Sequence, residues 1–460
     1  MEVERIQQIV DTINGIVWGP ITLILLVGTG IFLTLRLGFL QIRDLPYALK
    51  LTFSKSKKGD KNEKGDISHF QSLMIAMAAT LGIGNMTGVA SAVLLGGVGA
   101  LFWMWLAAFF GMATKYSEAI LAVKYRTVNH KGEISGGPMY YIEKGLGWKW
   151  LAVLFALFGF LASFGIGNMT QSNTVAGSLQ ATFNVNPWVT GFVLMVLTAL
   201  VLLGGVKGIG RVTAIFVPFL ALFYIVGGLI IVILNITEVP AAFAVIFQAA
   251  FSPEAVGGGA IGLAIRYGIA RGVFSNEAGL GSAPIAAAAA KTDYPGRQAL
   301  VSMTGTFLDT MIVCTITGLV IVMSGLHLQF GGDAAPVITG EAFDFFLPSV
   351  GNYIVVFGLI FFAYSTILGW SYYGEKCFGY IFGDRNTIYY KIIFCLVILF
   401  GAVQSVQLVW DIADIFNGLM AVPNLIALCL LSGVIVAETN KFREVRKKEK
   451  IEEKKQKLAS

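Results

Sequence analysis

Charge is scarce in this sequence. Asp, Glu, Lys and Arg make up 13% of 460 residues, where a soluble globular domain carries about 25%. Cysteine is scarce as well. Cys314, Cys377, Cys395 and Cys429 stand far apart, in or beside apolar stretches, without metal-ligand spacing or a disulfide pattern. They are read as small apolar residues. The three histidines, His69, His130 and His327, fall at the ends of apolar stretches or between them, which argues against a buried histidine relay. No paired Asp, His-Glu-x-x-His or Ser–His set lies within the apolar stretches, so an intramembrane enzyme is not expected. The start, Met1-Glu2-Val3-Glu4-Arg5, lacks the positive region of a signal peptide. The first apolar stretch is therefore expected to be a retained span.

Hydrophobic residues are what the chain has in excess: 56% of the whole, with a mean hydropathy of +0.74. Apolar stretches near the length of a membrane crossing recur throughout, which implies one membrane domain rather than several soluble ones. Eleven spans are expected, at roughly 14–36, 68–95, 99–124, 150–181, 187–206, 212–235, 261–290, 299–325, 351–375, 389–407 and 412–437. The net charge of +6 sits in short connections and in the tail, the placement of membrane topology and not of nucleic-acid binding. Loop 37–67 holds Arg43, Lys50, Lys55, Lys57, Lys58, Lys61 and Lys64, and loop 125–149 holds Arg126, Lys131, Lys144 and Lys149. Lys207, Arg211, Lys291, Arg297, Lys376 and Arg385 continue the series on the same side. Segments 236–260 and 326–350 carry Glu238, Glu254, Asp333, Glu341 and Asp344 with no Lys or Arg. The alternation predicts a multi-pass protein of the cell membrane, N-terminus outside and C-terminus cytoplasmic. The tail from Lys441 to Lys457 is expected to be a frayed helix at the membrane surface.

Two spans are interrupted by glycine and polar residues. The second contains Thr80-Leu81-Gly82-Ile83-Gly84-Asn85-Met86-Thr87-Gly88, and the seventh contains Gly272-Val273-Phe274-Ser275-Asn276-Glu277-Ala278-Gly279-Leu280-Gly281. Irregular backbone at mid-membrane survives only where it is buried or lines a cavity. A lone Gly-x-Gly would indicate only close helix packing. Here the two interruptions lie five spans apart, so the second block of five runs inverted relative to the first, which points to a secondary transporter site. The expected architecture is an all-α membrane protein with a 5+5 inverted repeat, discontinuous first and sixth core helices, and one extra N-terminal helix. Its parts are 1–67, the repeats 68–236 and 237–437, and a charged tail 438–460. Half-helix N-termini offer N–H groups to a carboxylate, and unwound carbonyls attract Na⁺. Such a site suits a zwitterion with a cation beside it. The fourth span repeats the hexapeptide, as Gly165-Ile166-Gly167-Asn168-Met169-Thr170, and both copies are expected to face one cavity.

Gly96-Gly97-Val98-Gly99-Ala100-Leu101-Phe102-Trp103-Met104-Trp105-Leu106-Ala107-Ala108-Phe109-Phe110-Gly111 resembles the signature of the alanine or glycine:cation symporters. Gly136-Gly137-Pro138-Met139-Tyr140-Tyr141 and Ser275-Asn276-Glu277-Ala278-Gly279 are similar to that family too, and the resemblance covers nearly the whole chain. It implies Na⁺- or H⁺-coupled uptake of alanine or glycine on the inverted-repeat fold of the bacterial leucine transporter. It also implies a Na⁺ site of carbonyls from Ala78, Leu81 and Phe362 with hydroxyls from Ser365 and Thr366. Back-bonding to the helix is the alternative for Ser365 and Thr366. For the substrate, N–H groups around Gly82, Gly84 and Asn85 are expected to hold the carboxylate. Thr80, Gly165, Asn168 and Gln171 are candidate partners, and Phe274, Met303 and Trp370 candidate walls. For Trp370, helix packing is as good a reading. A monomer in the lipid bilayer is expected.

Charges inside spans need a reason, since each costs about 2.5–3.5 kcal/mol at mid-bilayer. Glu118 and Glu375 are expected near the cytoplasmic face, in reach of solvent. Glu277 is expected at the start of a half-helix, and Asp309 in a pair with Arg or as a proton relay. For these and for Arg266 and Arg271, structural ion pairs are preferred over coupling roles. The competing functions are proton-coupled transport and a passive channel. A channel would need rings of like residues and no pair of broken helices.

Overall fold

The computed structural model describes residues 2–54, 65–251, 260–404 and 406–459. Within them α1 (Glu2–Val17), α2 (Pro20–Leu37) and α3 (Leu45–Phe53) precede α4 (His69–Thr80) and α5 (Thr87–Gly96). Next comes α6 (Ala100–Lys124), then a hairpin of β1 (Thr127–Val128) and β2 (Ile134–Ser135). The first half continues with α7 (Lys149–Phe183), α8 (Pro187–Leu202), α9 (Gly205–Leu234) and α10 (Val239–Phe251). The second half comprises α11 (Ala260–Asn276), α12 (Ala283–Ala288), α13 (Pro295–Ser324), α14 (Ile338–Phe346), α15 (Gly351–Phe382), α16 (Thr387–Gly401) and α17 (Val406–Leu430). The chain ends in α18 (Ser432–Ala459).

Local chemistry sets many of these boundaries. Pro20, Pro187 and Pro295 each open a helix, where the missing N–H costs nothing. Ser68 and Gln71 form a reciprocal capping box at the start of α4. Gly38, Asn184 and Gly325 end α2, α7 and α13 in the left-handed conformation, a common helix stop.

Seven helical stretches among the described residues are long and apolar enough to cross a membrane: Thr12–Leu37, Ala100–Lys124, Lys149–Phe183, Gly205–Leu234, Pro295–Ser324, Gly351–Phe382 and Ala413–Leu430. An eighth is a broken one, α4 and α5 with their link, bent by 61°. The eleven expected spans therefore do not all appear as long helices; α8 and α16 are shorter, and the expected 261–290 divides into α11 and α12. Some of the expected loops also hold structure. Segment 236–260 contains α10 and segment 326–350 contains α14. Lys55, Lys57, Lys58, Lys61, Lys64 and Glu254 lie outside the described residues.

The layers sort by burial. In α6, 83% of the apolar stretch is buried, and in α9 33%. So α6 runs through the centre, while α9 turns Ile215, Phe219, Leu222 and Ile233 outward. Apolar exposure of that extent fits lipid, not water. Close backbone approach holds the centre: a Cβ on Gly369 of α15 would lie 2.8 Å from the Ala79 nitrogen of α4.

The tail helix packs beneath this bundle. Arg446 pairs with Asp44 at 2.5 Å, Lys124 with Glu438 at 2.5 Å and Arg297 with Glu449 at 2.5 Å. Arg443 donates to the Leu37 carbonyl at 2.7 Å. Burial raises the Asp44 pKa, but hydrogen bonds and charge from Arg43 and Arg446 outweigh it and hold the carboxyl below its ordinary 3.8. A depressed pKa means that the contact is complete above pH 3.8 and is lost as pH falls through the lower folded-state value. Asp44→Asn with Arg446→Ala should therefore loosen α18. The expected cost is about 1–2 kcal/mol, below that of a fully buried charged hydrogen bond because both side chains keep some exposure. Faster tryptic release of the tail at neutral pH checks this, and an unchanged rate would exclude it.

Candidate functional site

The first break begins where Leu81 leaves α4 in an extended conformation and Gly82 follows with φ −150°. A single 3₁₀ turn, Ile83–Asn85, connects to α5. The Asn85 side chain accepts from the Gly82 N–H at 3.0 Å, and the Asn85 N–H donates to the Gly82 carbonyl at 3.2 Å. Among the described residues, no protein acceptor takes the N–H of Ile83 or Gly84. Of the three N–H groups expected to hold a carboxylate, those of Gly82 and Asn85 are thus used within the turn, and that of Gly84 is open.

Beside this break lies a cluster of oxygens. The Thr366 hydroxyl, with one proton to give, lies within hydrogen-bond distance of three carbonyls, those of Ala78 at 3.0 Å, Phe362 at 3.0 Å and Leu81 at 3.3 Å. The Ser365 hydroxyl lies 2.8 Å from the Phe362 carbonyl and 3.4 Å from that of Ala78. The five residues expected around Na⁺ are thus brought together between the end of α4 and the middle of α15. The back-bonds to Phe362 are present too, but both hydroxyls also reach across to α4. Three carbonyls and two hydroxyls are a hard, neutral donor set that suits a monovalent cation. Among the described residues, no group of three or more His, Cys, Asp or Glu side chains could hold a metal. Gly82 makes the approach possible, since a Cβ there would stand 2.6 Å from the Thr366 hydroxyl.

The second break runs from Glu277 to Ser282, between α11 and α12. Glu277, Gly279 and Gly281 have positive φ, at 57°, 91° and 85°. Backbone groups that lose their helical partners find others. Glu118 Oε1 accepts from the N–H groups of Gly279 and Gly281, both at 3.1 Å, and from Asn424 Nδ2 at 2.6 Å. Asn424 also donates to the Gly279 carbonyl at 2.9 Å, and its own oxygen takes the Tyr141 hydroxyl. Lys115 donates to the Asn276 carbonyl at 2.7 Å. Glu118 is fully buried, which corrects its expected place in reach of solvent: α6 carries it through the centre of the bundle. Glu375, by contrast, pairs with Lys391 at 3.1 Å, and Arg271 with Asp414 at 3.2 Å.

Asp309 ties the two breaks together. Its Oδ1 accepts from Asn85 at 2.7 Å, and its Oδ2 from Ser275 at 2.9 Å and Thr310 at 2.8 Å. Among the described residues its hydrogen-bond partners are amide and hydroxyl donors, so the arginine pair, one of the two roles expected for it, is not formed. The first break also touches the end of α11, where the second begins: a Cβ on Gly84 would lie 3.1 Å from Ser275 Cα and 3.3 Å from the Phe274 ring. Asp309 and Glu118 were visible in the sequence as charges inside apolar runs; their partners, hundreds of positions away in part, were not.

The remaining candidates divide. Gln171 lies on the Gly82 side of the first break, with its oxygen 3.6 Å from where a Gly82 Cβ would be, and that oxygen is buried without a partner. Asn168 donates to the Phe394 carbonyl of α16 at 2.7 Å, and its own oxygen is likewise buried and unpartnered. Gly165 packs against Ala413 of α17 and Gly167 against Trp370. The Thr80 hydroxyl turns back onto the Ala76 and Met77 carbonyls of its own helix. Met303 is fully buried on the helix that carries Asp309. Trp370 is fully buried and donates to Glu277 at 2.8 Å.

A sequence profile described as the sodium:alanine symporter family matches residues 3–457. The sodium/alanine symporter AgcS of Methanococcus maripaludis is 60% identical over 447 residues, covering 96% of this chain and 98% of the relative. A Bacillus subtilis relative described as putative sodium/proton-dependent alanine carrier protein YrbD is 38% identical over 439 residues, 92% of this chain and 90% of its own. Among solved structures, that of MhsT in complex with L-phenylalanine aligns with a TM-score of 0.61 over 82% of this chain and 93% of that one. Sequence identity is 17%, so the likeness is one of fold.

The oxygen cluster makes a direct prediction. Gly82→Ala should push Thr366 away from the Ala78 and Leu81 carbonyls. If a cation stabilises the protein there, the rise in melting temperature from choline chloride to sodium chloride should largely vanish in the variant. An undiminished sodium effect would remove the cluster as its origin.

Proposed function

The chain belongs to the sodium:alanine symporter family, and from there we propose that it couples inward Na⁺ flow to the uptake of small neutral amino acids, alanine or glycine, by alternating access. It is a multi-pass membrane transporter of an all-helical, leucine-transporter-like fold, and not an enzyme. The observation that carries the proposal is the cluster of Ala78, Leu81, Phe362, Ser365 and Thr366 oxygens directly beside the open Gly84 N–H. In this reading the cluster takes Na⁺ and the N–H groups of the first break take the substrate carboxylate. The cation and the carboxylate then sit within one site, so each favours the other, which is the thermodynamic content of symport. Asn168 and Gln171, whose buried oxygens have no partner, complete the polar side of this proposed site with Gly82 and Asn85 of the turn, while Thr80 and Gly165 shape it through their packing. Phe274, Met303 and Trp370 form its apolar side and limit the side chain to hydrogen or methyl.

The same reading completes the architecture. α2, α4 with α5, α6, α7, α8, α9, α11 with α12, α13, α15, α16 and α17 make eleven spans. The first is the extra helix, within 1–67; 68–236 and 237–437 form the inverted repeats, and 438–460 the tail. The Lys- and Arg-bearing connections put the C-terminus in the cytoplasm and the N-terminus outside, in the cell membrane. A monomer suffices, since both breaks and the cluster come from one chain.

Proton coupling is the second reading. It is favoured by the description of the YrbD relative and by three fully buried carboxyls, Glu118, Glu277 and Asp309, around the two breaks. Proteoliposomes separate the two. Labelled alanine should accumulate under an inward Na⁺ gradient and not under a pH gradient alone. Thr366→Ala should raise the Na⁺ concentration for half-maximal uptake about tenfold, the equivalent of ~1.4 kcal/mol. Uptake that follows the pH gradient and ignores Na⁺ would replace the first reading with the second.

A further inference from the structure

We propose that Glu277 is a specificity-determining residue: it holds the Trp370 indole in place and thereby sets the size limit of the substrate site. The proposal rests on the reading of Trp370 as a wall of that site.

Trp370 lies one helical turn beyond Thr366 on α15, so the two side chains share a face. That face looks toward the first break, because Thr366 reaches the Ala78 and Leu81 carbonyls. The indole is held from three sides. Its N–H donates to Glu277 Oε1 at 2.8 Å. The Tyr373 ring packs against it edge-on, centroids 5.6 Å apart at 73°. Gly167, inside the π-turn Gly165–Met169 of α7, leaves the room for it: a Cβ on Gly167 would overlap Trp370 Cβ and Cγ. Only the first of these contacts is a directed bond, and it alone fixes where the far end of the indole points.

Glu277 itself is out of place for its residue type. Its φ is 57°, in the left-handed region that favours glycine. The same break meets that demand twice with glycine, at Gly279 and Gly281. A side chain kept where glycine would be less strained points to a task for the side chain. Lys115 lies near enough for its charge to favour the carboxylate, but its hydrogen bond goes to the Asn276 carbonyl and not to Glu277. The carboxyl spans instead from the indole N–H to the Ser282 hydroxyl, which donates to Oε2 at 2.5 Å. Glu277 therefore joins the unwound end of α11 to α12 and to the wall on α15. Without the acceptor, the buried indole N–H is left unsatisfied, and the ring turns to find another partner. The space it filled then admits a larger side chain.

The test uses the full-length protein in proteoliposomes and reads the ratio of valine to alanine uptake. Glu277→Met keeps length and removes the acceptor; Glu277→Asp keeps the charge and withdraws it from reach. Both should raise the ratio about tenfold, the scale on which a pocket discriminates methylene groups, whereas Glu277→Gln, which retains an acceptor oxygen, should stay within about twofold of the parent. Trp370→Ala should raise the ratio as well, and adding Glu277→Met to it should change nothing further. If one of the Met and Asp variants does not fold, the other decides. A parental ratio in the folded Met or Asp variant, with a raised ratio in Trp370→Ala, overturns the role of Glu277 and leaves the wall standing. A Gln variant as permissive as the Met variant also overturns it, because the acceptor would then not matter. A parental ratio in Trp370→Ala removes the wall, and this proposal with it.

Discussion

A backbone that leaves the helix inside a membrane must find its hydrogen bonds elsewhere in the protein, because lipid supplies none and each unpaired group costs several kcal/mol. The rest of this structure is arranged around that constraint. Glu118 and Asn424 take the N–H and C=O groups that the second break releases. Asn85 closes the first break on itself and hands its amide to Asp309, which also holds Ser275 at the end of α11, where the second begins. The two interruptions are therefore one hydrogen-bonded unit. A few polar groups stay outside it: the N–H of Ile83 and Gly84 and the unpartnered oxygens of Asn168 and Gln171. A polar guest would meet its partners there.

Small residues are what let this unit close. Gly84 passes Ser275, Gly82 passes Thr366 and Gly369 passes Ala79, each at a distance that a Cβ would spoil. At these crossings packing and function share the same atoms. The Ala78 and Leu81 carbonyls reach Thr366 because α4 unwinds there and because nothing projects from Gly82 or Gly369. Such helix contacts are held by van der Waals packing and directed polar contacts, since lipid tails provide little hydrophobic drive between helices. The outward faces of α8, and of α9 beyond Arg211, can stay apolar for the same reason.

Much of the site was legible in linear order. Glycine and polar residues stand out inside apolar runs, and their cost in lipid makes them informative. The grouping of Ala78 and Leu81 with Phe362, Ser365 and Thr366 came from a family resemblance, and the structure brings the same residues together. Other features were hidden for identifiable reasons. Helices α10 and α14 fell in expected loops because each is shorter than a membrane crossing. Glu118 was expected near solvent because it lies toward the end of its apolar run; α6 runs through the interior for most of its length, so position along the helix does not report exposure. Of the partners of Asp309, Thr310 is its neighbour in sequence, but Asn85 and Ser275 come from the first break and from the end of α11, and no spacing rule connects them to it.

The hexapeptide Gly-Ile-Gly-Asn-Met-Thr marks the division most plainly. It occurs at 82–87 and again at 165–170. The first copy unwinds between α4 and α5, and its asparagine caps the turn and binds Asp309. The second copy stays helical as a π-turn within α7, and its asparagine reaches the Phe394 carbonyl. Composition and order alone determined that the chain crosses a membrane repeatedly, that its loops alternate in charge, and that polar backbone is buried at both copies. The five-span offset also pointed to the first copy as the one that breaks, but the reason that it breaks and the second does not lies in the tertiary structure. Thr366 stands beside the first to meet the Leu81 carbonyl that the break sets free and Asp309 to hold the Asn85 side chain that caps the turn, while Trp370 and Ala413 press on the second, where continuous backbone hydrogen bonding is the lower-energy answer.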